Sequence, residues 1–220
     1  MGIKAVVFDL DGTLVDTAPD FIVSLRLLLE EEGRPSPSDA RIRNTVSSGA
    51  RALVTLGFGI DEGDDDFERL RLRLLTLYTQ HLADESATFA GIDPLLNWLN
   101  NEDIAWGIAT NKPAEYALPL LAALQLTPIN DCIICPDHVS ERKPHPESLH
   151  LAARLLNCQT EEIIYVGDHQ RDIECGQRAN CPTIAAGYGY IGNLDEALSW
   201  RADHTVSHAK ELQAIIETLR

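Results

Sequence analysis

Apolar residues follow two rhythms along this chain. Lys4 to Asp9 holds a short apolar, β-branched run (Ala5, Val6, Val7, Phe8), which predicts a strand broken by Gly12. From Ala18 to about Glu32 the apolar residues recur at helical spacing through Phe21, Ile22, Leu25, Leu28 and Leu29, and the Gly33-Arg-Pro-Ser-Pro37 stretch ends that helix. Two shorter helices are predicted over 38–46 and 50–56. A glycine- and acid-rich turn covers 57–66, and a strongly periodic helix covers 67–82. The stretch 17–86 thus reads as all helical.

After Gly91 the rhythm changes to alternating helix and strand. Helices are predicted over 92–100, 114–125, 146–156 and 170–178, and strands over 104–109, 132–135, 162–166 and 182–186. Short runs near Ala197 and His204–Val206 follow, and a closing helix covers 210–219. Such alternation predicts βαβ units and a parallel sheet covered on both faces. The expected fold is α/β: a Rossmann-like core from 1–16 and 87–220, with a helical cap, 17–86, inserted just after the first strand. There is no internal repeat and no low-complexity tract.

Composition adds limits. The chain has 220 residues, 45% hydrophobic and 24% charged, enough for one α/β core with a modest insertion and no need of disulfides. Its 34 acidic and 18 basic residues give a net charge of −16. So acidic a surface repels nucleic acid and anionic membranes. It also repels anionic small molecules, so any phosphate site has to be built locally from backbone N–H groups, a few cations and a metal ion. Five cysteines, an odd number, point to reduced thiols in a cytosol. Cys132 and Cys135 make a C-x-x-C, but their surroundings read as a buried strand, and no second pair completes a zinc site. The first residues lead directly into the Lys4–Phe8 run, with no h-region of a signal peptide and no membrane-length apolar run. The expectation is a cytoplasmic monomer or homodimer.

In an open parallel sheet, chemistry gathers at the carboxyl ends of the strands. Strand one ends in Asp9-Leu10-Asp11-Gly12-Thr13. The second core strand ends in Ala109-Thr110-Asn111-Lys112. The loop after the third carries Arg142-Lys143-Pro144, and the fourth ends in Gly167-Asp168-His169-Gln170-Arg171-Asp172. Together, in this order, these four motifs resemble the signature of the haloacid dehalogenase-like hydrolases. The resemblance covers the whole chain, and the helical insertion sits where that family places its cap.

The residue types suit phosphoryl transfer. Asp9 is the candidate nucleophile, since a carboxylate can attack phosphorus and form an acyl phosphate, splitting one hard step into two. Its pKa should be low beside Lys143 and a cation. The Gly12 turn lets Asp11 reach over the same site as general acid and then general base. The second Asp also disfavours a dehalogenase. Mg²⁺ prefers hard oxygen ligands: Asp9, Asp168 and, as the resemblance implies, the Asp11 backbone carbonyl. Asp172 is expected just behind them. Many relatives carry an acid where this chain has His169. Thr110, the Asn111 N–H, Lys143 and the N–H groups around Leu10, Asp11 and Gly12 would hold the phosphate. Thr13 would brace the loop.

The cap would exclude water and read the leaving group, hinged near 15–17 and 86–89. Arg51, after the Ser47-Ser48-Gly49 turn, is the candidate contact to an anionic or sugar moiety. Phe8–Thr17 and Ala109–Pro113 resemble the phosphoglycolate phosphatase branch. Ser48–Ala52, Cys135–Val139 and Gly187–Ile191 are more similar to phosphatases of N-acetylmuramic acid 6-phosphate. The resemblance implies a Mg²⁺-dependent phosphatase of a small phosphomonoester. A phosphomutase would share every core motif, and a non-catalytic regulator would be expected to lack Asp9, Asp11 or Lys143. Tyr188 and Tyr190, between glycines, could face a sugar ring or pack beneath the cap hinge.

Overall fold

A computed structural model describes residues 2–128 and 130–220. Met1 and Ile129, both inside the expected core ranges, lie outside the described residues. In chain order the elements are β1 (Ala5–Phe8), β2 (Val15–Asp16), α1 (Ala18–Glu31), α2 (Asp39–Arg43), α3 (Gly49–Phe58), α4 (Phe67–Gln80), β3 (Ala87–Thr88), α5 (Ile92–Asn101) and β4 (Ala105–Ala109). There follow α6 (Ala114–Ala123), β5 (Ile133–Ile134), α7 (Glu147–Leu155), β6 (Ile163–Gly167), α8 (Gln170–Arg178), β7 (Thr183–Ala186), α9 (Leu194–Ser199), β8 (His204–Val206) and α10 (Leu212–Leu219).

Six strands form one parallel sheet in the order β5-β4-β1-β6-β7-β8. β1 lies between β4 and β6, pairing Phe8 with Ile108 on one side and with Val166 on the other. All four β1 residues are buried, as a central strand covered on both faces requires. Their side chains alternate between two cores. Val6 and Phe8 join a cluster with Leu96, Trp106, Ile164 and Leu212. Ala5 and Val7 join another with Leu149, Ala152 and Tyr165.

The helices α1–α4 have an apolar cluster of their own, around Phe21, Leu25, Leu28, Leu53, Phe67 and Leu74. Surface ion pairs, Arg69 with Glu32 and Arg73 with Glu31, tie α4 to the end of α1. The segments that lead into and out of this helical stretch meet in a short antiparallel ribbon, β2 on β3, pairing Val15 with Thr88. Neither strand is predicted by periodicity, because two residues are too few to show one. Buried Asp20 closes the same gap: its carboxylate accepts the Ala83 N–H at 2.9 Å, the Glu85 N–H at 2.8 Å and the Ser86 hydroxyl.

The predicted helix over 38–46 is shorter than expected. α2 stops at Arg43, and a one-turn 3₁₀ helix covers Val46–Ser48. Gly49, at φ +85°, then turns the chain into α3. The break puts Ser47 over the end of β6, where its hydroxyl reaches Asp168.

Candidate active site

The carboxyl ends of β1, β4 and β6 meet where the strand order diverges from β1. Lys143, from the loop before α7, reaches beneath them. Its Nζ lies 2.9 Å from Asp9 Oδ1 and 2.7 Å from Asp172 Oδ1. It also donates to the Tyr165 hydroxyl at 2.8 Å and to the Ala109 carbonyl at 2.9 Å. All these groups are buried. Burial opposes ionisation of Asp9, but the charges of Lys143 and Arg171 outweigh it and the pKa falls. For Lys143, burial likewise opposes the charge, yet Asp172 and Asp9 raise its pKa. This pair is therefore ionised. Asp172 lies at the first turn of α8, where it also accepts the His169 N–H at 3.1 Å.

Asp168 completes an acidic set. One carboxylate oxygen from each of Asp9, Asp168 and Asp172 lies within 4.8 Å of the others. Asp168 accepts hydrogen bonds from the Tyr190 N–H and the Ser47 hydroxyl, both at 2.9 Å, and from the Thr13 hydroxyl at 3.3 Å. Burial and the charges of Asp9 and Asp172 push its pKa up to about 7. Lys143 pairs with only two of these three buried carboxylates, Asp9 and Asp172, and the donor set is all hard oxygen. Both features fit a Mg²⁺ ion.

The phosphate cradle differs from expectation in detail. Two N–H groups expected to face the anion are engaged: that of Leu10 by Asp9 Oδ1 at 2.7 Å and that of Gly12 by the Val15 carbonyl at 3.0 Å. Among the described residues, the N–H groups of Asp11 and Asn111 make no hydrogen bond, and both residues line the main cavity. The Asn111 side chain instead braces Lys143, accepting its N–H at 3.2 Å and donating to its carbonyl at 3.1 Å. Thr110 lines the cavity, and its hydroxyl accepts the Lys112 N–H at 3.1 Å. Thr13 does hold the loop, through Asp168.

The Asp11 carboxylate is held from two sides. The Thr17 hydroxyl donates to it at 2.6 Å and Lys112 Nζ at 3.1 Å. Lys112 carries no expected role, although it directly follows Thr110-Asn111. Its ammonium is buried between Asp11 and the stacked rings of Phe21 and Tyr78, 5.0 and 4.6 Å from their centres. A cation placed between a carboxylate and two π faces stays charged: burial opposes this, but Asp11 and Tyr78 raise its pKa.

Above these groups lies a cavity of about 560 Å³, floored by Asp9, Thr110 and Lys143 and roofed by Ser48, Arg51 and Tyr78. Arg51 lines it at the rim, exposed and paired with Glu62 at 2.5 Å. Of the two readings of the closing-loop tyrosines, the structure shows the packed one. Tyr190 is buried beneath the ribbon, where its hydroxyl accepts the Thr17 and Ala18 N–H groups at 2.6 and 2.9 Å. Tyr188 donates to the Thr13 carbonyl at 3.0 Å and packs its ring on Phe89. Neither lines the large cavity, because both pack around the β2–β3 ribbon. Sequence reasoning also passed over Ser47 and Arg171. Both sit inside motifs it singled out, but no periodicity shows that the guanidinium crosses to the Ser47 carbonyl.

The profile of the haloacid dehalogenase-like hydrolases matches residues 6–186 of this sequence. The chain belongs to that family. It is 43% identical over 218 residues to the N-acetylmuramic acid 6-phosphate phosphatase of Pseudomonas putida, covering 99% of this chain and 98% of that protein. It is 37% identical over 213 residues to the phosphoglycolate phosphatase of Xanthomonas campestris pv. campestris, covering 95% and 94%. A crystal structure from Lactobacillus delbrueckii subsp. bulgaricus superposes with a TM-score of 0.86 over 98% of this chain and 99% of that one. At 24% identity, that likeness is one of fold. The protein is thus a hydrolase of this family, and its relatives are named as phosphatases. No helix among the described residues is long and apolar enough to cross a membrane.

Proposed function

We propose that this protein is a Mg²⁺-dependent phosphatase acting through an aspartyl phosphate on Asp9, with N-acetylmuramic acid 6-phosphate as its substrate. The observation that carries the reaction is the buried set of Asp9, Asp168 and Asp172, two of them paired with Lys143, with Asp9 and Lys143 at the floor of a cavity. Asp9, Asp168 and the Asp11 carbonyl would hold the metal, with Asp172 behind. When bound, Mg²⁺ would neutralise charge on the transferring phosphoryl group. Asp9 Oδ attacks phosphorus as the P–O bond to the leaving group breaks. Asp11, entering this step as its carboxylic acid, gives that oxygen its proton; left as a carboxylate beside Lys112, it then takes a proton from the water that attacks phosphorus and frees Asp9 as a carboxylate. Lys143 keeps Asp9 ionised, and the free N–H groups of Asp11 and Asn111 donate to the phosphate oxygens.

Two facts support the amino-sugar phosphate: the 43% identity over nearly the full length, and the cavity of about 560 Å³, which has room for a pyranose with substituents. Helices 17–86 would act as the cap that closes on it. A second reading, phosphoglycolate, is favoured by Lys112, whose ammonium beside Asp11 could pair with a carboxylate close to the leaving oxygen. A panel of phosphomonoesters assayed with Mg²⁺ and with EDTA tests the proposal. Release of inorganic phosphate from the amino-sugar ester, lost in EDTA and needing no bisphosphate activator, is the expected result. A requirement for such an activator would make the protein a phosphomutase, and turnover that survives EDTA would remove the metal.

A further inference from the structure

Arg171 lies in the first turn of α8, between Asp168 and Asp172, and it lines the same cavity as Asp9 and Lys143. Its guanidinium can donate five hydrogen bonds. Among the described residues it makes one, from Nη2 to the Ser47 carbonyl. Nε is fully buried and has no partner, one of only two such side-chain atoms among the described residues. Nη1 makes no hydrogen bond either. A buried, charged donor left without an acceptor is costly, and native structures seldom keep one without a reason. The carboxylates nearby do not supply that partner: Asp9 and Asp172 bond to Lys143, and Asp168 is taken by Ser47, Tyr190 and Thr13. Among the described residues no acceptor is found for Nε or Nη1.

We infer that Arg171 is a second cation on the phosphoryl group, held in place by the carbonyl of Ser47. A planar fork of N–H donors suits phosphate oxygens better than an ammonium does. Ser47 is gripped from two sides, its hydroxyl on Asp168 and its carbonyl on Arg171. The turn at residues 46–48 therefore both seats the helical insertion and aims the guanidinium. The field of Arg171 already reaches the nucleophile, where it helps lower the Asp9 pKa. This inference deepens the proposed phosphatase reading and rests on it.

The test compares the parent, Arg171→Met and Arg171→Lys in Mg²⁺. Three quantities are read: the competitive Ki for inorganic phosphate, kcat/KM on p-nitrophenyl phosphate, and kcat/KM on N-acetylmuramic acid 6-phosphate. Arg171→Met is expected to raise the phosphate Ki about tenfold or more and to lower kcat/KM by about 10²–10³-fold. Because the lost contact is to the group that both esters share, the loss should be the same factor for each. Arg171→Lys should fall between. An unchanged phosphate Ki in a folded Arg171→Met protein would show that the residue only tethers the cap, and would overturn the inference. So would a loss confined to the sugar ester. If Arg171→Met does not fold, the neutral Arg171→Gln decides: a parent-like phosphate Ki in a folded Arg171→Gln protein overturns the inference just as well. A parent that neither turns over any phosphomonoester nor binds phosphate brings down the phosphatase reading, and this inference with it. An active parent with an indifferent Arg171→Met loses only the inference.

Discussion

One ammonium, Lys143 Nζ, holds two carboxylates in the interior, and this sets what each acid can do. Asp9, paired and ionised, is the proposed nucleophile. Asp9→Asn keeps the shape and removes the charge, so kcat should fall by on the order of 10³-fold or more. Lys143 keeps Asp172, so the protein should still fold. Parent-like turnover in a folded Asp9→Asn protein would end the assignment. Asp168 behaves oppositely. Burial and its acidic neighbours lift its pKa to about 7, well above the ordinary carboxylate value. Without metal, the native state keeps a proton there that the unfolded chain gives up near pH 4. The stability from this group is thus full below about pH 4 and lost as the pH rises through about 7. A Mg²⁺ ion held by Asp168, as proposed, would compete with that proton. The rise in unfolding temperature on adding Mg²⁺ should therefore be small at pH 5 and large at pH 8. Equal shifts at both would mean that Asp168 holds no metal.

At the scale of elements, the periodicity of the chain foretells the sheet and the large helices, because burial on one face or two writes itself into the spacing of apolar residues. The motif residues were equally legible, since each follows a strand. What the sequence hides is contact between distant elements. Lys112 reaches Asp11 across 101 positions, Ser47 reaches Asp168 across 121, and the tyrosines after β7 turn inward to the hinge rather than toward a substrate. The same loop brings Gly189 against the site. A Cβ there would lie 2.3 Å from Asp168 Cβ and 2.4 Å from the Gly12 carbonyl oxygen. Neither neighbour is a flexible side-chain end, so Gly189→Ala should force the loop off Asp168. We expect a loss of about 1–3 kcal/mol in denaturant unfolding, as in other overpacked interiors. Mg²⁺ affinity should weaken at the same time, since the Tyr190 N–H then leaves Asp168. A variant as stable as the parent would show that the loop yields freely.

At the scale of the molecule, a strongly acidic protein concentrates its buried cations around one cavity, with the insertion above and the sheet edge below. The floor is common to any phosphomonoester, so discrimination between substrates has to come from the roof and walls. There the two candidate substrates ask for different things. Glycolate places its carboxylate next to the leaving oxygen, within the neighbourhood of Lys112 and Asp11. The amino sugar carries its carboxylate on a lactyl ether farther from phosphorus, and Arg51 at the rim is its proposed contact. Arg51 is exposed and its partner Glu62 is a surface residue, so Arg51→Ala should leave the unfolding temperature unchanged. We expect the parent to prefer N-acetylmuramic acid 6-phosphate over phosphoglycolate in kcat/KM by at least about tenfold, roughly 1.4 kcal/mol of transition-state binding. Arg51→Ala should erode that preference by raising KM for the amino sugar alone, while Lys112→Met should depress both substrates because it also frees Asp11. A tenfold preference for phosphoglycolate in the parent would reverse the substrate order. An Arg51→Ala protein unchanged toward both esters would leave Arg51 as a rim residue with no part in recognition.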